Sequence, residues 1–439
     1  MSGARRQWRN WAGDQRCRPT AVAWPSTVGE LCSLVAEAGA SGHTIKAVGA
    51  GHSFTDIALT NGVQVRLDSL TGLLNVDRDA KLITLWGGTR LHQIPALLKP
   101  YGLAMENLGD IDAQSISGAI STGTHGTGLK FGGIATQVRA LTLVTGTGEV
   151  LHCSATHNAE IFAVARVGLG ALGIITAVTL QCVDAFMLHA VERPEPLAEV
   201  LQSLAERNAT HDHFEFYWFP HTEIALTKSN TRHAPGTLPD GVRPLSVSSH
   251  IVDDLIVSNT LFSALCNVTG KMPKTIPRVN RLASTLTGHR EFGDASHKVF
   301  TTSRTVRFRE MEYALPLESI PAALRDLKAM INRRGLQISF PVEVRSAAGD
   351  DIALSTANQR PSGYIAIHQH INSEHSEYFQ TAEEIFRSYA GRPHWGKWHF
   401  LHSKDFSQLY PDLEKFCKVR NVLDPKRVFS NAYLDRVLP

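Results

Sequence analysis

Three glycine-rich stretches lie in the amino-terminal part of this chain: Val48-Gly49-Ala50-Gly51-His52-Ser53-Phe54, the run from Ser115 to Gly128, and Gly168-Leu169-Gly170-Ala171-Leu172-Gly173-Ile174. Glycine lets backbone N–H groups approach a phosphate closely, and consecutive amides make an anion-binding concavity without a charged side chain. The first stretch follows a predicted strand, but Gly49 and Gly51 lack the third glycine of G-x-G-x-x-G, which argues against a Rossmann unit. Taken alone, this loop reads as an ordinary turn and His52 as a hydrogen-bonded structural histidine. The second stretch packs Ser115, Gly118, Thr122, Gly123, Thr124 and His125 together, small residues and hydroxyls suited to lining a planar or phosphorylated cofactor. The third precedes a strand and can meet an adenine edge. Three such pieces, none of them Rossmann, imply a dinucleotide bound along one domain.

A length of 439 residues exceeds what one core usually holds, so two domains are expected. Apolar residues make up 43% and charged ones 19%, which excludes a disordered or coiled-coil chain. Lys and Arg total 44 against 41 Asp and Glu with no basic block, so no nucleic acid is expected as a partner and the charge gives little reason for membrane-surface binding, with loose membrane contact left open. Six cysteines (Cys17, Cys32, Cys153, Cys182, Cys266 and Cys417) form no C-x-x-C pair and read as mostly buried thiols. Arg5-Arg6 is followed by polar residues instead of an apolar signal core, and no run of about eighteen apolar residues suggests a span, so a cytoplasmic location is expected.

Residues 1–185 mix short strands, short helices and turns, an α+β pattern. Thr27 and Glu30 predict a capping box before Leu31, Leu34 and Val35. Strands are predicted over 44–48, over 64–67 and 82–85 on either side of the Asp77-Arg78-Asp79 turn, over 141–144 and 150–153 as a hairpin, and over 174–180. A helix over 93–99 is predicted to close at Pro100. From about 186 the glycine density falls, a helix over 197–205 and an aromatic strand over 214–219 appear, and a second domain is expected.

Further on, Phe340-Pro341-Val342-Glu343-Val344-Arg345 alternates as a strand, placing Glu343 and Arg345 on one face where they can share a ligand. Spacing alone also allows a surface pair. Ile365-Ala366-Ile367-His368-Gln369-His370 alternates likewise, so His368 and His370 face one pocket; H-x-H on a strand can also bind zinc, but no third ligand is positioned, and no metal is expected.

The G-A-G-H-S loop, the Ser115–Gly128 run, Glu343-x-Arg345 and His394-Trp395-Gly396-Lys397 together resemble the vanillyl-alcohol-oxidase-type flavoproteins, and within them the aldonolactone oxidoreductases (the L-gulonolactone and D-arabinono-1,4-lactone oxidase family), close to the alditol oxidases. The resemblance covers nearly the whole chain. It implies a two-domain α+β FAD-binding fold with an inserted cap: residues 1–185 for FAD, 186–398 for the substrate cap, and 399–439 returning to the FAD domain through Asp424-Pro425 to Phe429-Ser430-Asn431. FAD contacts would come from Val48, Gly49, Ala50, Gly51, His52, Ser53, Ser115, Gly118, Thr122, Gly123, Thr124, His125, Ile174 and Lys397, with His52 the covalent attachment point. His125 would be structural beneath the flavin. Catalysis would fall to Glu343, Arg345 and Lys397, and substrate contacts to Asp110, Glu343, Arg345, His368, His370 and His394, the last supporting Lys397. Glu310-Met311-Glu312-Tyr313 reads as cap-domain core.

The reaction so implied is hydride transfer from C2 of a sugar 1,4-lactone to flavin N5, with oxygen or another carrier as acceptor. A polyol oxidised at a primary hydroxyl is the alternative substrate, although Asp110 stands where the alditol-type members have serine. A catalytically silent flavin- or sugar-binding protein is the alternative from another class. Gly109, which the resemblance puts beside the flavin C4a–N5 edge, predicts an oxidase that makes hydrogen peroxide.

Overall fold

The computed structural model describes residues 7–245, 273–286, 288–302 and 306–439; Arg5, Arg6 and Cys266 lie outside these. A short pair, β1 (Trp8–Arg9) and β2 (Arg16–Cys17), precedes a parallel three-stranded sheet of β3 (Ala21–Ala23), β4 (Ile45–Ala47) and β5 (Val63–Val65) in the order β3-β5-β4. Helix Val28–Ala40 links β3 to β4 and buries Leu31, Val35 and Ala38. The Thr27 side chain accepts from Glu30 N at 3.1 Å, as predicted. The Glu30 carboxylate, however, accepts from Ser26 N at 2.8 Å, one residue short of a reciprocal box.

The next strands, β6 (Leu73–Asp77), β7 (Leu82–Trp86), β8 (Leu103–Met105), β9 (Val138–Val144), β10 (Val150–Ser154) and β11 (Ile174–Asp184), form an antiparallel sheet ordered β10-β9-β11-β7-β6, with β8 also on β11. The strand before the Asp77 turn is therefore β6 and not the stretch over 64–67, which joins the parallel sheet. The Leu-Leu-Asn-Val-Asp sequence of β6 has no clean period of two to reveal it. Pro100 lies inside a 3-10 turn, Lys99–Tyr101, and the chain reverses at Gly102 with φ +67°.

The carboxyl-terminal helices Ser403–Leu409, Leu413–Leu423 and Ala432–Val437 pack Phe406, Phe416, Tyr433 and Leu434 into the same core as Ile83, Leu85, Ile116 and Val178. Asn431 Nδ2 donates to the carbonyls of Asp56, Ile57 and Leu59 at 2.9–3.1 Å, tying the chain end to the loop after Ser53.

Between these parts runs an antiparallel eight-stranded sheet, ordered β15-β12-β14-β13-β17-β18-β16-β19. Its strands are β12 (Met187–Pro196), β13 (His213–Trp218), β14 (Ile224–His233), β15 (Arg290–Ala295), β16 (Phe308–Pro316), β17 (Val342–Ala347), β18 (Ser362–His370) and β19 (Arg392–Pro393). Alternation gives it two unlike faces. Phe214, Phe216, Trp218, Met311, Tyr313, Val342, Val344, Ile365 and Ile367 point one way and pack on helices Ile320–Arg334 and Ser376–Ser388. Burying each such large side chain contributes roughly 1.5–3 kcal/mol. The intervening residues point the other way and are largely charged. The helix predicted over 197–205 is two, Leu197–Gln202 and Leu204–Thr210, broken at Ser203.

Five cysteines, Cys17, Cys32, Cys153, Cys182 and Cys417, are free thiols, and three of them, Cys17, Cys153 and Cys182, are buried. Among the described residues no helix is long and apolar enough to cross a membrane.

Candidate active site

The loop after β4 opens into a cleft of about 940 Å³, open solvent included. Its walls come from all three glycine-rich stretches: Val48, Gly49, Ala50, Gly51, His52 and Ser53; Ser115, Gly118 and Thr122; and Leu169, Gly170, Gly173 and Ile174. The backbone N–H groups of residues 49–53 donate to no protein acceptor among the described residues, whereas Val48 N bonds Val65 O at 2.9 Å and Phe54 N bonds Gly396 O at 2.7 Å. Gly51 has φ +72°, and a Cβ at Gly49 would lie 2.6 Å from Ser115 Oγ, so both glycines are required by backbone shape and close packing.

Arg90 Nη2 pairs with Asp68 at 2.8 Å, while its buried Nη1 has no partner among the described residues and lies beside Gly49. A row of free amides, a guanidinium nitrogen awaiting an acceptor and a long cleft fit a dinucleotide with its diphosphate at the loop. Among the candidate cofactor residues, Gly123, Thr124, His125 and Lys397 stand off the cleft wall. Gly123 N and Thr124 N bond back to Ile120 and Ala119, closing the turn behind helix Ile116–Ser121. Lys46, Asp68, Arg90, Gln114, Ser117 and Ser121 line the cleft without having been singled out. Ser117 and Ser121, four apart on one helix face, were recoverable from spacing; the Asp68–Arg90 pair joins two separate turns and leaves no local signal.

His52 lines the cleft with its ring stacked on Trp11, centroids 5.4 Å apart. Burial first, then the charges of Lys397 and Arg90, lower its pKa to about 4, so the imidazole is neutral and keeps a nucleophilic lone pair.

The charged face of the large sheet is linked to the His52 loop through Lys397, whose charge acts on His52 and which pairs with Glu310. Arg345 Nε lies 2.5 Å from Glu343 Oε1 and 2.9 Å from Glu215 Oε2, and its Nη2 lies 3.4 Å from Tyr217 Oη. Asp110, whose carboxylate accepts from Thr302 Oγ1, acts electrostatically on Tyr217, Glu343 and Arg345. Burial, with Glu215 nearby, raises the Glu343 carboxyl against the opposing pull of Arg345.

Two strands along, Glu310 of β16 pairs with Lys397 Nζ, which lies over the Phe54 ring at 5.1 Å. His368 Nε2 is 3.6 Å from the same carboxylate, and its Nδ1 is 3.2 Å from Pro341 O. Burial alone would raise Glu310, but Lys397 and His368 bring it down to about 2. Glu312 is likewise held well below its usual range by His125, whose Nε2 is 3.1 Å away and whose ring stacks on Tyr364.

Glu310 and Glu312 thus face the charged cluster, while Met311 and Tyr313 are core. Reading all four as core overlooked that a strand sends alternate residues to opposite faces. Glu215 and Tyr217 escaped for the same reason, set at period two in an otherwise aromatic strand. His370 shares its strand with His368, and its Nδ1 accepts from Asn372 N at 3.4 Å in the following turn. Among the described residues, the grouping with metal-like spacing is instead His125, Glu312 and His394, within 4.8 Å of one another. His394 Nδ1 accepts from Gly396 N at 3.1 Å, shaping the turn that presents Lys397. At Gly109 a Cβ would lie 2.9 Å from His125 O, so the glycine serves a close backbone approach more than an open path.

A family profile described as D-arabinono-1,4-lactone oxidase matches residues 178–437, and one described as FAD binding domain matches 19–154. The chain is 42% identical to L-gulono-1,4-lactone dehydrogenase of Mycobacterium tuberculosis, covering 98% of this chain and 99% of that one. It is 36% identical to L-gulonolactone oxidase of Mus musculus, covering 98% of each. A solved cholesterol oxidase variant from Brevibacterium sterolicum superposes with TM-score 0.82 at 19% identity, covering 99% of this chain and 97% of that one. By sequence and fold together, this chain belongs to the aldonolactone oxidase and dehydrogenase family of FAD-dependent oxidoreductases, on the vanillyl-alcohol-oxidase-type fold.

Proposed function

We propose that the protein oxidises the C2 hydroxyl of a sugar 1,4-lactone of the gulono-, galactono- or arabinono- type. Residues 1–185 and 399–439 would form the FAD domain and 186–398 the cap. FAD would lie in the cleft with its diphosphate on the amides of 49–53 and on Arg90, and the flavin ring joined covalently to His52. When bound, it supplies the two-electron acceptor for the substrate hydride.

The observation that carries this reading is that Lys397, whose charge acts on His52, is paired with Glu310 on the same charged sheet face that carries the Glu343–Arg345 pair. Two carboxylates hold Arg345 through Nε and Tyr217 Oη lies 3.4 Å from Nη2, which leaves Nη1 to orient the reacting hydroxyl. Lys397 and Arg345 offset negative charge that develops on the ring. Glu343 and Asp110 accept hydrogen bonds from substrate hydroxyls, while His368, His370 and His394 complete or support the pocket. Dioxygen is the proposed final acceptor, with hydrogen peroxide as product.

Anaerobic mixing with a panel of aldonolactones and alditols, followed by flavin absorbance, tests the substrate. Bleaching by lactones and not by alditols is expected; the reverse would move the assignment to a polyol oxidase, and no bleaching by either to a silent binding protein. Reoxidation of the reduced enzyme by oxygenated buffer, compared with a quinone or dye, tests the acceptor.

A further inference from the structure

We propose that Trp11 is a positioning residue for His52, its indole holding the imidazole in the orientation from which a ring nitrogen bonds to the flavin 8α carbon. This rests on the covalent reading given above. Neither ring nitrogen of His52 makes a hydrogen bond to a described residue, and among these residues Trp11 is the aromatic ring stacked on it, with an interplanar angle of 22°. A free side chain on a cleft wall samples several rotamers; a ring clamped against its face keeps few.

The segment carrying Trp11 is itself fixed onto the histidine loop. Trp11 N donates to Gly51 O at 2.7 Å, Asn10 Nδ2 to Ser53 O at 3.1 Å and Gln15 Nε2 to Phe54 O at 3.1 Å, so three donors from one turn grip the carbonyls of Gly51, Ser53 and Phe54 on either side of His52. Asp14 accepts from Asn10 Nδ2 at 3.0 Å and pairs with Arg309 on β16 at 3.1 Å, which anchors the turn to the large sheet. The indole edge packs on Phe308 at 5.3 Å. This aromatic wall has no place in the hydride chemistry, and it touches the residue on which attachment would occur.

In the attachment a bond forms from the His52 nitrogen to the 8α carbon. One methyl C–H and the imidazole N–H are lost as protons, and the two electrons released pass through the flavin ring to dioxygen, which leaves as hydrogen peroxide. Alignment of nitrogen with carbon is the part the protein can supply, and misplacement by about 1 Å can cost a hundredfold.

The test follows acid-stable flavin fluorescence over time after FAD is added to full-length apoprotein, for wild type, His52→Ala, Trp11→Leu and Trp11→Phe, with non-covalent FAD affinity measured in parallel. Wild type and Trp11→Phe should attach flavin at similar rates, and Trp11→Leu should bind FAD with unchanged affinity while attaching it about tenfold more slowly. Attachment by Trp11→Leu at the wild-type rate, equal slowing in Trp11→Phe, or loss of FAD affinity in step with attachment would each overturn the positioning role. If wild type itself yields no acid-stable flavin, or His52→Ala still does, the His52 attachment fails first and this inference falls with it.

Discussion

The cleft and the charged sheet face are built by opposite means. The cleft is made mostly of backbone: free amides over 49–53, a glycine at φ +72° and a glycine whose Cβ would collide with Ser115. The sheet face is made of side chains, with Glu215, Glu310, Glu312, Glu343, Arg345 and Lys397 paired in a buried setting. A backbone site tolerates changes of side-chain charge and fails when a methyl group is added; a side-chain site does the reverse. The difference suits the two ligands, since a constant cofactor can be held by shape and a reacting hydroxyl needs charge at a defined atom.

The sharpest way to break the comparison is on the charged face. Arg345→Ala and Lys397→Ala should each lose about 3 kcal/mol of catalysis, roughly a hundredfold in flavin reduction, while retaining FAD. Unchanged stopped-flow reduction rates, or loss of FAD, would show that these charges do not act where the sheet presents them.

Next in size is the complementary change in the cleft. Gly49→Ala should weaken FAD binding by about 1–3 kcal/mol through overpacking against Ser115 Oγ, with reduction of the remaining bound flavin little altered. Ser115→Ala in the same chain removes that oxygen, leaving the Ser115 Cβ at 3.5 Å, and should recover part of the loss. Absence of any recovery in FAD titrations would argue against the contact as the cause.

The smallest effect concerns pH. Burial, reinforced by Lys397 and opposed by Glu312, lowers His394 to about 4 from 6.5. The unfolded chain therefore binds this proton first, and stability falls as pH drops from 6.5 through 4, by up to about 1.4 kcal/mol per pH unit for this group. His394→Asn should flatten that part of a plot of thermal midpoint against pH. An unchanged slope would mean that the histidine is not held neutral by the fold.

What could be read from sequence divides along the same line. Glycines that meet a cofactor cluster locally, so the three stretches and ten of the candidate cofactor residues, from Val48 to Ile174, stood out and line the cleft. Period-two alternation likewise exposed Glu343 with Arg345. Glu215, Tyr217, Glu310 and Glu312 were hidden because each belongs to a strand whose other face is core, and their partners come from strands far away in the chain. The stack of Trp11 on His52 joins two segments 41 residues apart with no shared period, and only the fold brings it out.

The central claim is that the cleft and the charged face meet so as to deliver hydride from C2 of a lactone. The most direct measurement is anaerobic flavin reduction by a 1,4-lactone carrying deuterium at C2, compared with the unlabelled sugar. The account predicts that the labelled lactone bleaches the flavin several-fold more slowly, with label at other carbons having no effect. Equal rates for C2-labelled and unlabelled lactone, or slowing by label at a different carbon, would contradict it.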